Sequence, residues 1–246
     1  RRRFTVGIND DVTHLSLDVD ESFDVESPDV TRAVFHGLGA DGTVSSNKAT
    51  IKIIGDHTDL YAQGHFVYDS KKSGATTVSH LRFGPRPIRS TYLIRRAGFV
   101  GVHDPGALDR LDVLADADRG AVVLINTSTP PDELSDRLPV EAQRTLVEQD
   151  CRLYAIDATH IAESNGLGRR INTIMQTCFF ALSEVLPFTE AIELVKKSVA
   201  STWGRRGSEV VRRNTAAIDA AIEHLHEIPL GEVTSTRTRR PAVPAD

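Results

Sequence analysis

Residues 31–48, TRAVFHGLGADGTVSSNK, constrain the fold more than any other stretch of the chain. Ala33-Val34-Phe35 is a short apolar run of the length and type that forms a buried strand. The run breaks at Gly37-Leu38-Gly39-Ala40-Asp41-Gly42 and continues through Thr43 and Ser45 into a helix-forming segment. Strand, glycine turn and helix start together make a unit whose backbone amides and helix dipole can hold an anion. The G-x-G-x-x-G spacing alone also serves plain packing turns, so both readings stand, and the flanking strand and helix favour the anion. The expectation is a loop that grips the phosphates of an anionic cofactor.

The rest of the chain keeps alternating. Residues 47–55 read as a helix with Ile51 and Ile54 inward, Lys48 and Lys52 on another face, and Gly55 as C-cap. Residues 64–69 and 76–83 read as strands, the second ended by Gly84-Pro85-Arg86-Pro87. Residues 92–94 and 99–102 are further extended runs, and 108–114 a short helix. Residues 121–126 and 152–157 are strands. Between them, Pro131 starts a helical turn and 140–150 a longer helix behind Pro139. Residues 158–164 are helical and lead to a second glycine loop, Asn165-Gly166-Leu167-Gly168-Arg169-Arg170-Ile171-Asn172. An apolar helix follows to Leu186, where Pro187 stops it; Thr189 is expected to cap the next helix. A last helix over 207–226 places Val211, Ile218, Ile222 and Leu225 on one face. Such alternation predicts an α/β domain over residues 31–228, a mostly parallel sheet covered on both faces. Residues 1–30 read as an attachment and connector, and 229–246 as a polar linker.

Composition narrows the function classes. At 246 residues the chain can bury one large α/β core with an appended piece. It has no apolar run near the ~20 residues of a membrane span and no signal-peptide core, so cytoplasm is the expected compartment. Arg1 in place of Met suggests a fragment or a processed chain. Cys151 and Cys178 lack C-x-x-C spacing and read as buried thiols, unable to build an iron–sulfur or zinc site alone. Residues 1–30 hold three Arg against eight acids, and residues 37–96 nine Lys and Arg against four Asp. That basic excess is expected beside the glycine loop, where it suits a polyanionic small molecule; no basic, aromatic-interleaved strip speaks for nucleic acid.

Three chemistries compete. A dinucleotide fold wants an acid about 20 residues past the loop; Asp69 lies 27 after Gly42, and Lys71 and Lys72 behind it favour an added phosphate. NAD(P) binding is thereby weakened. Ser45-x-x-Lys48 and Lys72-Ser73-Gly74 resemble an acyl-serine signature, but its third element would overlap the first, so the match is coincidence. A grip for coenzyme A or a similar cofactor would use the 37–42 backbone, Lys48, Lys71, Lys72 and the Arg169-Arg170 loop. The two lysines at 71 and 72 read equally as a solvated turn. Asp10, Asp11 and His14 fit a capping turn better than a metal site, and His224 and His226 fit surface positions. No base–nucleophile pair emerges, so no catalytic residue is assigned.

Longer words then carry a resemblance. Residues 37–94, beginning GLGADGTVSSNKATIKIIGDHTDLYAQGHFVYDSKKSGATT, are similar to the pyruvate:ferredoxin (flavodoxin) oxidoreductase family, as are FTVGINDDVTHLSL, GLGRRINTIMQTCFFALSEVLP and PFTEAIELVKKS. Residues 97–144 follow the family pattern more loosely. The resemblance implies a gamma-type, three-layer α/β/α domain with a mixed sheet, preceded by the tail of a transketolase-C-like domain. It implies a parent that decarboxylates pyruvate with thiamine diphosphate, Mg and iron–sulfur clusters, reduces ferredoxin or flavodoxin, delivers acetyl to coenzyme A, and forms a homodimer. It implies a coenzyme A role here for Gly37, Gly39, Gly42, Thr43, Asn47 and Lys48 at the first loop, and for Arg169, Arg170 and Asn172 at the second. The thiamine motif and cluster cysteines are absent from these residues, so the chain would not turn over by itself. A non-catalytic assembly module is the other reading.

Overall fold

The computed structural model describes residues 3–8, 11–18, 20, 23–39, 41–69 and 75–240. Its centre is a seven-stranded mixed sheet in the order β2-β3-β1-β4-β5-β6-β7. The strands are β1 (Thr31–Leu38), β2 (Tyr61–Tyr68), β3 (Thr76–Gly84), β4 (Ala97–Val102), β5 (Ala117–Asn126), β6 (Arg152–Ile156) and β7 (His226–Ile228). The pairs β1–β4, β4–β5 and β5–β6 are parallel; β1–β3, β2–β3 and β6–β7 are antiparallel.

Alternation along the strands fills two cores. Ala33 and Phe35 of β1 face one layer of helices: α1 (Thr43–His57), α5 (Ala158–Ser164), α6 (Asn172–Ser183), α7 (Phe188–Trp203) and α8 (Ser208–Glu223). Val34 between them faces α2 (Ala107–Arg110), α3 (Pro131–Arg137) and α4 (Val140–Glu148). This is the three-layer arrangement expected of buried parallel strands. Phe179 of α6 lies over the centre, its ring centroid 5.4 Å from Phe35 and 5.0 Å from Phe99. That contact holds α6 across β1 and β4. The chain leaves β1 toward the first layer and β4 toward the second, so the carboxyl ends of β1 and β4 flank a topological switch point.

Several element ends differ from the expectations. Gly55 lies inside α1, which ends at Thr58 with the Thr58 hydroxyl donating 2.7 Å to the Ile54 carbonyl. The α7 helix starts behind Pro187, one residue before Thr189. Glu184 in a left-handed conformation stops α6 three residues short of Leu186. Residues 92–94 form no strand; the Tyr92 carbonyl instead accepts from Arg82. The short helix covers Ala107–Arg110 only, and α8 yields at Glu223 to the edge strand β7.

Two flanking segments pack on this body. Asp11 caps a turn, accepting from the Thr13 hydroxyl and from the Thr13 and Ser16 amides, which holds its carboxyl well below the usual range. Asp10 lies outside the described residues, and among the described residues no cluster could hold a metal. Residues 234–240 run back along α4 and α2: the Thr234 and Ser235 amides donate to the buried Gln143 side chain, and Arg239 pairs with Asp112 at 2.8 Å. Among the described residues no helix is long and apolar enough to cross a membrane.

Candidate functional site

The first glycine turn is closed on itself. Leu38 N–H donates to Asp41 Oδ2 at 2.7 Å and Thr43 N–H to Asp41 Oδ1 at 2.8 Å. Gly39 N–H donates to the Ala75 carbonyl at 2.6 Å. Gly37 is required for space, since a Cβ there would stand 2.3 Å from Thr43 Oγ1. Thr43 is fully buried, and its hydroxyl shares a 2.8 Å hydrogen bond with His103 Nδ1. The Asp41 carboxylate occupies the α1 N-terminus, the place an anionic ligand would otherwise neutralise. Gly37, Gly39 and Thr43 therefore have packing work, and their polar groups are already answered.

The second turn meets the first. Gly42 has φ +89°, and a Cβ on it would approach Asn172 Cβ to 3.1 Å. Ser46 Oγ donates to the Asn172 carbonyl at 3.1 Å, and Gln176 Nε2 to Thr50 Oγ1 at 2.9 Å. The N-termini of α1 and α6 thus stand side by side at the switch point. Their positive dipole ends face the same space. Arg169 and Arg170 precede α6 directly, where that dipole disfavours a cation, yet no carboxylate pairs with either among the described residues. Arg170 Nε donates to the Leu167 carbonyl at 3.2 Å, and its guanidinium lies 6.0 Å from the Trp203 ring centroid.

Other expected residues lie elsewhere. Asn47 is buried on the inner face of α1, and among the described residues its Nδ2 and the Thr77 and Ser79 hydroxyls of β3 have no hydrogen-bond partner. Lys48 is exposed and reaches over the Phe66 ring at 5.3 Å, toward β2. Lys71 and Lys72 fall outside the described residues. The basic excess of residues 37–96 is largely not beside the loop. The antiparallel β3 carries Arg82 to the opposite end of the strands, beside Arg32, where it meets Glu26 at 2.6 Å; Arg86 pairs there with Asp29 at 2.8 Å. Asp69 directly follows β2, which β3 separates from β1, so the acid of a dinucleotide fold is not at the end of the neighbouring strand.

Behind the bends runs a polar chain linking four strand ends. His103 N–H donates to the His36 carbonyl at 2.9 Å, Asn126 Nδ2 to the His103 carbonyl at 3.0 Å, and Ala158 N–H to Asn126 Oδ1 at 3.0 Å. Burial pushes the His103 imidazole down to about 4, with the Asp41 carboxylate opposing, and burial brings His36 to about 4 as well. Burial also pushes the Cys151 thiol up to about 11 and the Cys178 thiol up to about 12, leaving both protonated and inert. The chemistry available is binding of an anion at a rigid, cationic rim.

Sequence reasoning misses the corner formed by Trp203 and the Gly204–Arg206 turn behind it, although Gly168-Arg169-Arg170 and Gly204-Arg205-Arg206 repeat one tripeptide. That repetition is the available signal.

Residues 32–224 match the family model described as pyruvate ferredoxin/flavodoxin oxidoreductase. The whole chain aligns at 51% identity with 21% of the pyruvate-flavodoxin oxidoreductase of Rhodospirillum rubrum. It is 49% identical over 93% of its length to 20% of the pyruvate:ferredoxin oxidoreductase of Moorella thermoacetica. It therefore spans about a fifth of the length of these relatives. Among solved structures, a pyruvate oxidoreductase subunit of Thermotoga maritima superposes with TM-score 0.63 at 17% identity, covering 80% of this chain and 98% of that one. A 2-oxoglutarate:ferredoxin oxidoreductase of Magnetococcus marinus superposes with TM-score 0.59 at 14% identity, over 87% of this chain and 33% of the other. The two solved structures share the α/β layering, and the high-identity matches over nearly the full chain settle the lineage: the chain belongs to the pyruvate ferredoxin/flavodoxin oxidoreductase family.

Proposed function

We propose that this chain is the coenzyme A-binding domain of a larger pyruvate:ferredoxin or pyruvate:flavodoxin oxidoreductase. That enzyme would oxidatively decarboxylate pyruvate to acetyl-coenzyme A, as a cytoplasmic homodimer whose other domains carry thiamine diphosphate, Mg and iron–sulfur clusters. Coenzyme A supplies the thiol that receives the acetyl group. This chain's part is to bind and orient that cosubstrate. The observation that carries the reading is the junction of Gly42 with Asn172 beside Arg169 and Arg170, which have no carboxylate partner among the described residues. A diphosphate there would meet the positive end of α6, which carries no carboxylate of its own as the α1 end does in Asp41, and would relieve two cations from an unfavourable dipole. Asn172 and the Gly42 backbone shape the floor, Lys71 and Lys72 supply further point charges for the ligand, and Lys48 does so only by leaving the Phe66 ring. Thr43, Gly37, Gly39 and Asn47 act beneath the site by fixing the bend. The Magnetococcus marinus oxidoreductase, which shares this layering, holds coenzyme A and succinyl-CoA in its solved structure, and this supports the same reading.

Assembly is the second role. Phe4, Val6, Val12 and Phe23 of the N-terminal segment are more than half exposed, and the remainder of a longer protein would cover them. The test is calorimetric titration of the full-length protein with coenzyme A and, separately, NADP. We expect saturable coenzyme A binding, weakened about tenfold or more by Arg170→Gln. NADP binding alone, or an Arg170→Gln protein with unchanged coenzyme A affinity, rules the reading out.

A further inference from the structure

The second Gly-Arg-Arg turn is the strongest feature that the diphosphate site leaves unused. Trp203 ends α7, which runs antiparallel beside α6, so its ring arrives at the end of the molecule where α6 begins. Gly204–Arg206 turns the chain, and Gly207 at φ +110° sends it into α8. Two contacts tie this corner to the second glycine loop. Arg170 lies 6.0 Å from the Trp203 ring, and Arg213 Nη1 donates to the Gly166 carbonyl at 3.3 Å. The Arg206 guanidinium lies 4.7 Å from the same indole. Trp203 is thus a shared platform that holds one arginine from each tripeptide.

The charge at this corner is partly answered and partly not. Glu209 pairs with both Arg212 and Arg213, and those three side chains neutralise one another in part. Arg205 and Arg206 are exposed and, like Arg169 and Arg170, have no carboxylate partner among the described residues. A basic pair behind a helix C-terminus can simply answer that helix's dipole. Such a role explains neither the ring that orients Arg206 nor its sharing with Arg170, which sits at a helix N-terminus. Cation–π contact narrows the positions a flexible guanidinium samples, which lowers the entropy lost when it forks onto an anion.

We infer that Arg170, Trp203 and Arg206 form a phosphomonoester subsite that takes the ribose 3′-phosphate of coenzyme A. The inference rests on the coenzyme A reading above and assigns the far end of that ligand. The diphosphate lies at the Gly42–Asn172 junction, and the phosphorylated ribose lies toward Trp203. Arg206 makes charge-assisted hydrogen bonds to the phosphomonoester oxygens, and Arg170, between the two sites, is shared by that group and the diphosphate. Trp203 is a positioning residue that does not itself contact the phosphate.

Dephospho-coenzyme A, which lacks only that phosphate, provides the test. The full-length protein is titrated calorimetrically with both ligands at fixed ionic strength. The unaltered protein is expected to bind coenzyme A at least about tenfold more tightly than the dephospho form. Arg206→Gln removes an exposed side chain with no ion pair among the described residues, so the fold is retained. It is expected to collapse that ratio to about threefold or less while leaving dephospho-coenzyme A affinity within about twofold. Trp203→Leu is expected to lower the ratio, and Trp203→Phe to keep most of it, because the platform needs a ring face. An unchanged ratio in Arg206→Gln, or equal weakening of both ligands, overturns the subsite alone. A protein that binds neither ligand overturns the coenzyme A reading and the subsite with it.

Discussion

The two ends of the sheet's strands are both rich in arginine, and they use it oppositely. At the end where β1 begins, Arg32 meets Asp24 and Asp118 at 3.0 and 3.2 Å, Arg82 meets Glu26, and Arg86 meets Asp29. Arg82 is 1% exposed and also donates to the Tyr92 carbonyl, so its charge is spent on holding the N-terminal connector to the body. At the end where the parallel strands finish, Arg169, Arg170, Arg205 and Arg206 are exposed and unpaired among the described residues. Buried and answered charge makes architecture; exposed and unanswered charge beside helix N-termini is available to a ligand.

The comparison breaks most easily at Arg82. Glu26→Ala leaves a buried guanidinium without its counter-ion, which should cost about 3–5 kcal/mol of stability by denaturant titration. A loss below about 1 kcal/mol would mean that the paired end does not carry the load ascribed to it. The ligand end has its own buried liability in its histidines. His36 and His103, together with His80 on β3, are each held to about 4, mainly by burial. Their folded values lie below the unfolded one of about 6.5, so the unfolded chain takes up more protons between these limits. Stability is therefore complete above about pH 6.5 and falls toward pH 4, by at most about 1.4 kcal/mol per pH unit for each histidine. Denaturant midpoints across that range should show the slope, and His103→Gln should flatten it. The smallest effect sharpens the contrast: Arg169→Gln or Arg205→Gln should change stability by no more than about 0.5 kcal/mol, since no partner is lost. Thermal melts of the two variants check it.

Much of the fold is legible in the sequence because the signals are local. Apolar runs such as 121–126 and the strand–turn–helix over 31–57 announce themselves through periodicity and glycine placement. The β7 strand is not legible, because three residues at a sheet edge, His226 to Ile228, carry no periodic signal. Helix ends at Thr58 and Glu184 escape notice because neither is a glycine stop. The site is half legible. The two glycine loops do meet, but summing charge along residues 37–96 places Arg82 and Arg86 beside the loop, whereas an antiparallel strand removes them to the far end. Sequence distance and spatial distance diverge most where a hairpin intervenes. The reverse error hides Trp203 and Arg206, which lie more than thirty residues from Arg170 and yet share one ring with it.

The Arg82–Glu26 contact bears on how this domain could ever be excised. The family match opens at residue 32, a tempting place to cut. A protein trimmed there would keep Arg82 inside and discard the acid that makes its burial tolerable. Its aggregation would then report a severed ion pair and say nothing about whether the sheet can stand alone; retaining the chain from before Asp24 removes that confusion.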